Sequence, residues 1–142
     1  MTAELEVFHS GEFIGHLVEE VRGQWGFVYN SKFLQSKPTR KMLSLNFPLR
    51  ETPYRGGDLT AVFRNLLPDG DLRRQLAHKI GVSVGNDFAL LGAIAGDCPG
   101  ALSLLVPGEQ WHGDGEVRTL TEPEFRNVVA ALPTHPLLFE VE

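Results

Sequence analysis

One thiol, five imidazoles and a set of closely spaced glycines are the groups whose types could do chemistry in this chain of 142 residues. Cys98 sits in Ala95-Gly96-Asp97-Cys98-Pro99-Gly100, a glycine-bounded turn that could expose a nucleophilic thiolate. Such a thiolate needs an imidazole as its base, and nothing in the spacing places the ring of His78 beside it, so a structural turn is the better reading. Gly92, Gly96 and Gly100 resemble a phosphate cradle only superficially. No Lys-Ser or Lys-Thr follows them, and the strand-loop-helix order of a P-loop is reversed, so they read as packing and turn glycines. The histidines at 9, 16, 78, 112 and 135 never place two ligands on one helical face. His9 and His16 could face one another across a first hairpin, but two imidazoles without a third ligand make a poor metal trap. Asp69-Gly70-Asp71 opens like a calcium loop that no glutamate completes, and Pro68-Asp69-Gly70 is sufficient as a turn. Trp25 and Tyr29, with Lys32 and Lys37 nearby, could stack single-stranded nucleic acid, although core packing is favoured. No catalytic constellation, metal centre or cofactor motif emerges.

These groups must be positioned by an α+β architecture. Leu5 to His9 and Phe13 to Val18 alternate at period two around Ser10-Gly11-Glu12, which predicts a hairpin. Trp25-Gly26-Phe27-Val28-Tyr29 adds a third strand, with Trp25, Phe27 and Tyr29 on one face. Phe33 and Leu34 begin a short turn or helix. Met42-Leu43-Ser44-Leu45-Asn46-Phe47 reads as a further strand stopped by Pro48, and residues 50–57 as a loop. From Asp58, a good N-cap, the period becomes helical through Leu59, Val62, Phe63 and Leu66, ending at Pro68. A second helix is expected over 71–80, with Leu72, Leu76 and Ile80 four apart and Gly81 as a left-handed cap. A third runs from about Asn86-Asp87 to Gly96. Residues 101–106 read as a buried strand. A last helix starts at Thr121, with Glu124 at the capping-box position, Pro123 in the first turn, and Phe125, Val128, Val129 and Leu132 as its apolar stripe. The expectation is a small antiparallel or mixed β-sheet, or partial barrel, with a cluster of short helices packed on it. One domain would span 1–142, mainly strands over 1–57, helical over 58–96, and strands plus a C-terminal helix over 97–142.

Composition sets bounds on function. With 42% apolar and 22% charged residues the chain should fold around one core, and its single cysteine excludes a disulfide framework or a cysteine-rich zinc cage. No run approaches the ~18 apolar residues of a membrane span and no leader pattern opens the chain, so a soluble cytoplasmic protein without membrane contact is expected. The net charge of −5 argues against a protein that coats nucleic acid. The charge is segregated, however. Residues 1–31 carry one basic and five acidic groups, 32–79 ten and four, and 80–142 two and nine. The middle block is either ordinary solvated surface or a face that steers an acidic partner.

Taken in order, Leu5-Glu6-Val7-Phe8, Gly15-His16-Leu17, Phe27-Val28-Tyr29, Leu43-Ser44-Leu45-Asn46-Phe47-Pro48-Leu49, Phe63-Arg64-Asn65-Leu66-Leu67-Pro68-Asp69-Gly70 with Arg73, Asp87-Phe88-Ala89-Leu90-Leu91 and Gly96-Asp97-Cys98-Pro99-Gly100 to Leu104 resemble the N-terminal domain of HipA-type serine/threonine kinase toxins of bacteria over about residues 4–106. The resemblance implies that the ATP-binding loop and catalytic Asp belong to a separate kinase domain. No His-Arg-Asp or Asp-Phe-Gly element occurs here, so the resemblance implies a non-catalytic module without a cofactor. It further implies a place in a toxin–antitoxin system as a stand-alone HipS-like antitoxin that binds and restrains a HipA-like kinase, in a complex that can include a helix-turn-helix HipB-like DNA-binding protein. No direct nucleic-acid binding is expected. The alternative is the N-terminal regulatory portion of such a toxin. A module of this kind should carry a partly apolar docking face, for which Phe63, Leu66, Leu67 and Pro68, with the charges of Arg64, Arg73 and Arg74, are the candidates. Leu67→Asp is then expected to weaken the complex and leave the fold intact.

Overall fold

The structure, a computed structural model, describes residues 3–36, 41–94, 101–110 and 119–133. They divide into two compact units, Met1–Trp111 and His112–Glu142.

In the first unit, β1 (Ala3–His9), β2 (Glu12–Val21) and β3 (Gln24–Tyr29) form an antiparallel meander. Ser10 and Gly11 both take positive φ, 48° and 78°, the two-residue hairpin turn whose twist matches that of the flanking strands. His9 therefore pairs with Glu12 and His16 with Glu6, and the two histidines do not face one another as the alternation had allowed. Between Val7 and Phe8 the register slips, so that Gly15 and Phe13 are successive partners and Ile14 is the extra residue of a bulge. The bulge resets the alternation and turns Ile14 as well as Leu17 into the core.

Two further strands complete an open, wholly antiparallel sheet in the order β4-β3-β2-β1-β5. The strand expected near 101–106 is β5 (Leu102–Leu105), beside β1. The other edge is the two-residue β4 (Tyr54–Arg55), within a stretch whose sequence reads as a loop. Residues 42–47 are not the expected strand. Ser44 to Phe47 closes as a tight turn, in which the Phe47 N–H donates to the Ser44 carbonyl at 2.9 Å.

That turn is held from inside the core. The Tyr29 hydroxyl donates to the Phe47 carbonyl at 2.6 Å and accepts from the Leu43 N–H at 2.7 Å, both bonds being buried. Burial raises the Tyr29 pKa above the ordinary tyrosine value, against the lowering effect of the Leu43 N–H, with a small further rise from Tyr54. Tyr29→Phe is expected to leave two buried backbone groups unpaired and to cost about 2 kcal/mol in a urea melt. The raised pKa sets the sign of a pH effect. Stability from this group is complete below about pH 10, the unfolded-state value, and is lost as pH rises through the higher folded value. The alkaline fall in stability should accordingly be shallower in Tyr29→Phe.

Helices cover one face of the sheet. They are α1 (Ser31–Gln35), α2 (Gly57–Arg64), α3 (Gly70–Ile80) and α4 (Asp87–Ile94). Asn30 caps α1 through its side-chain oxygen. Because β4 ends at Arg55, the chain turns at Gly56, whose φ is 105°, and α2 begins with Asp58 in its first turn rather than at the cap. Gly81, with φ 71°, caps α3 in the left-handed conformation as expected. The aromatic face of β3 meets the helices directly: Phe27 faces Phe63 of α2, and Trp25 meets Phe88 of α4 edge-on at 5.6 Å. Gly92 has the packing role read from the sequence, since a Cβ there would lie 3.3 Å from Leu5 Cδ2. Gly96, Cys98 and Gly100 lie outside the described residues.

In the second unit, α5 (Glu122–Ala131) starts with the capping box of Thr121 and Glu124. Its expected stripe of Phe125, Val128, Val129 and Leu132 contains no buried residue. Among the described residues no helix is long and apolar enough to cross a membrane.

Candidate functional site

Charge that is segregated along the sequence is partly cancelled in space. Lys41 bonds Glu12 at 2.7 Å, Arg55 pairs with Glu20, Arg64 and Arg73 converge on Asp87, and Arg74 pairs with Asp71. Glu12, Glu20 and Asp87 come from the acidic flanks, so folding brings them to Lys41, Arg55, Arg64 and Arg73 of the basic middle block. The Arg55 side-chain bond holds the Glu20 carboxyl below its usual range, and Glu20 in turn raises the arginine. These paired cations make no free polyphosphate-binding stripe.

The α2–α3 corner holds the residues singled out as a docking face. α2 ends at Arg64, short of the Pro68 expected to stop it, because the chain tightens into turns in which the Leu66 and Leu67 N–H groups donate to the Phe63 and Arg64 carbonyls at 3.0 Å; Gly70, with φ 60°, then opens α3. This is the turn expected of Asp69-Gly70-Asp71, whose Asp71 is occupied by Arg74. Phe63 is fully buried and Leu67 only 7% exposed, while Leu66 and Pro68 are half-buried. The apolar stripe of α2 thus belongs to the core, and the corner offers solvent only Leu66, Pro68 and the polar side chains. Leu67→Asp would place a carboxylate in that core, so it tests folding; the expectation that the fold survives it is corrected by the burial of Leu67. On α3, Leu76 and Ala77 are buried, whereas Leu72 and Ile80 stand at the exposed margin.

The three arginines differ in freedom. Arg73 is inward-leaning, bonding Asp87 and donating through Nε to the Val84 carbonyl at 3.0 Å. Arg64 donates through Nε to Asp87 Oδ2 at 2.6 Å, and its guanidinium carbon lies 5.7 Å from the Trp25 ring centroid. Arg74 projects from the corner with its Asp71 partner equally exposed. The residue missed by the sequence reading is Asp87, which ties α2, α3 and α4 together. Its only local signal is an acidic group in a first helical turn, and its partners lie 23 and 14 residues away.

Chemistry is sparse around these groups. Trp25 and Tyr29 are buried and do not form an exposed stacking platform. A cleft of about 360 Å³ is lined by Trp25, Arg55, Thr60 and Arg64, with both arginines already paired to acids. Among the described residues no group of three or more His, Cys, Asp or Glu could hold a metal ion. Cys98 lies outside them, as do Lys37, His112 and His135.

The fold has counterparts among known proteins. Residues 5–105 match the model of the HipA N-terminal domain. A protein of Sinorhizobium fredii named "Putative kinase Y4mE" is 35% identical over 140 residues, covering 94% of this chain and 33% of its own length. The chain therefore spans about a third of that relative. HipA from the Shewanella oneidensis MR-1 HipA, HipB and operator DNA complex superposes with a TM-score of 0.65 at 26% identity, over 91% of this chain and 29% of the other. A structure of the N-terminal domain of HipA toxin gives 0.52 at 28% identity, over 76% and 95%. The meander, the Asn-Leu-Leu-Pro corner and the matched 5–105 segment together place this chain in the HipA N-terminal domain family, which is related to toxin–antitoxin systems.

Proposed function

We propose that the chain is a non-catalytic interaction module that binds and restrains a HipA-like kinase, in the manner of a HipS-like antitoxin. The observation that carries this reading is the match of residues 5–105 to the HipA N-terminal domain, a domain that the relative named as a kinase carries beside further chain. A domain joined to a kinase in that relative would keep a docking surface when the partner is a separate chain. The solvent-facing part of the α2–α3 corner, Leu66 and Pro68 with Arg64 and Arg74, is the proposed surface, and Phe63, Leu67 and Arg73 support it from beneath. A HipB-like DNA-binding protein would join the complex through the kinase.

The test begins with affinity purification from the native organism and identification of a HipA-type kinase in the eluate. In a calorimetric titration with that kinase, Leu66→Asp is expected to weaken binding at least about tenfold, near 1.4 kcal/mol. Equal affinity of the variant would remove the corner from the interface. A second reading, the N-terminal regulatory portion of a HipA-type kinase toxin, is favoured by the match to a kinase relative over 94% of this chain. One continuous reading frame with a kinase domain would support it, and separate frames the antitoxin.

A further inference from the structure

The turn at residues 44–47 carries a leucine where a polar residue is usual. Leu45 is 89% exposed, while the other exposed large apolar side chains among the described residues lie between 36% and 61%. A single exposed leucine ordinarily needs no explanation. This one stands on a pedestal fixed from both sides, because the Tyr29 hydroxyl bonds the backbone just before the turn, at Leu43, and at its last residue, Phe47. Both flanking side chains are buried, and the Phe47 ring packs edge-on against Tyr54 at 5.0 Å. The backbone presenting Leu45 is thus pre-ordered, which lowers the entropic cost of using it as a contact.

A fixed cation belongs to the same loop. The Arg50 guanidinium lies 3.5 Å from the centroid of the Tyr54 ring and donates to the Thr52 and Pro53 carbonyls at 3.0 and 2.8 Å. Unlike Lys41, Arg55, Arg64, Arg73 and Arg74, it has no carboxylate partner among the described residues. An apolar knob and an unneutralised, oriented guanidinium on one braced loop are complementary to a protein surface with an apolar socket beside a carboxylate.

We infer that the Leu45 turn is a second docking point, in which Leu45 enters an apolar socket and Arg50 meets an acidic side chain of a HipA-like kinase body. The inference rests on the proposed kinase-binding role and adds a contact distinct from the α2–α3 corner. The kinase body is the occupant because the matched relatives carry about twice as much additional chain against which this domain's surfaces can pack, and because Arg50 calls for an acidic partner.

The test is a calorimetric titration of the full chain and its variants into the HipA-type kinase of its own genome, with circular dichroism melts as the check on folding. Leu45→Asp should melt like the parent and bind at least about tenfold more weakly, Leu45→Met should bind nearly as tightly as the parent, and Arg50→Ala should weaken binding with a reduced salt dependence. If the parent binds and Leu45→Asp binds equally well, the docking point is wrong and the kinase-binding role stands. Absence of binding by the parent overturns both. Self-association of the parent that Leu45→Asp abolishes, with kinase affinity unchanged, would assign the knob to a second copy and overturn the inference.

Discussion

Gly15→Ala is expected to prevent stable folding or to lower the melting temperature by roughly 10 °C, for a loss of about 3 kcal/mol or more. Gly15 lies in β2 between two partners, Val7 of β1 and Tyr29 of β3. A methyl group at its Cα would sit 2.2 Å from the Val28 carbonyl oxygen and 3.0 Å from Tyr29 Cα. Both atoms are backbone and cannot rotate away. The strand pair would have to separate, and with it the anchor through which Tyr29 holds the 44–47 turn. Gly26 provides the control on the neighbouring strand, because a Cβ there would make ordinary contacts, 3.5 Å from Val18 Cγ2 and 3.7 Å from the Tyr54 carbonyl. Gly26→Ala should therefore shift stability by less than about 1 kcal/mol, since alanine also loses less backbone entropy than glycine on folding. Parallel urea melts of the two variants decide the point, and equal destabilisation would show that the close approach of β3 at Gly15 is not responsible.

Asp87→Ala should cost about 2 to 3 kcal/mol, because it strips one carboxylate from two guanidinium groups. The Asp87 side chain is only 12% exposed and that of Arg73 21%, so this pair is shielded from water and salt, whereas Arg64 at 52% contributes less. Loss of the carboxylate leaves Arg73 half-buried with the Val84 carbonyl as its remaining bond. It also releases the contact between the end of α2 and the start of α4. A double-mutant cycle of Asp87→Ala with Arg73→Leu in thermal melts should return a coupling of at least about 1 kcal/mol. Additive effects would mean that Arg73 is held by packing alone. The corresponding cycle of Asp87→Ala with Arg64→Leu should return a smaller coupling, because Arg64 is 52% exposed.

The legible parts of the fold are those whose physics is local. Ser10-Gly11 placed the first hairpin because serine and glycine are turn formers and Gly11 takes positive φ without steric cost, and Thr121 with Glu124 placed the start of α5 because their side chains satisfy each other's backbone. The 42–47 stretch was misread for a comparable reason. Its alternating apolar residues look like a strand, but only Leu43 and Phe47 are buried, and the bonds that decide the matter come from Tyr29, 14 and 18 residues away. The short edge strand at Tyr54 and Arg55 was illegible because two residues cannot show a period; it exists because β3 offers a free edge beside Gly26 and Phe27.

The candidate site divides along the same line. Asn-Leu-Leu-Pro with the following Asp-Gly located the α2–α3 corner from sequence, since proline and glycine punctuate the chain wherever they occur. Which of its side chains meets water was decided by the sheet: Phe63 is claimed by Phe27, and Leu67 by the core, leaving Leu66 and Pro68 at the surface.

The amino-acid sequence by itself determined the α+β class, the order of most elements, the Gly81 cap of α3, the capping box of α5 and the family, because these follow from neighbouring residues and from motifs read in order. Only the tertiary structure decided that the basic block is met by carboxylates from its acidic flanks, that Asp87 joins three helices, and that Leu45 is lifted into solvent on a braced turn. Those outcomes depend on Coulomb attraction and burial between groups far apart along the chain, and distance in space is set only when the whole sheet and its helices have closed around one core.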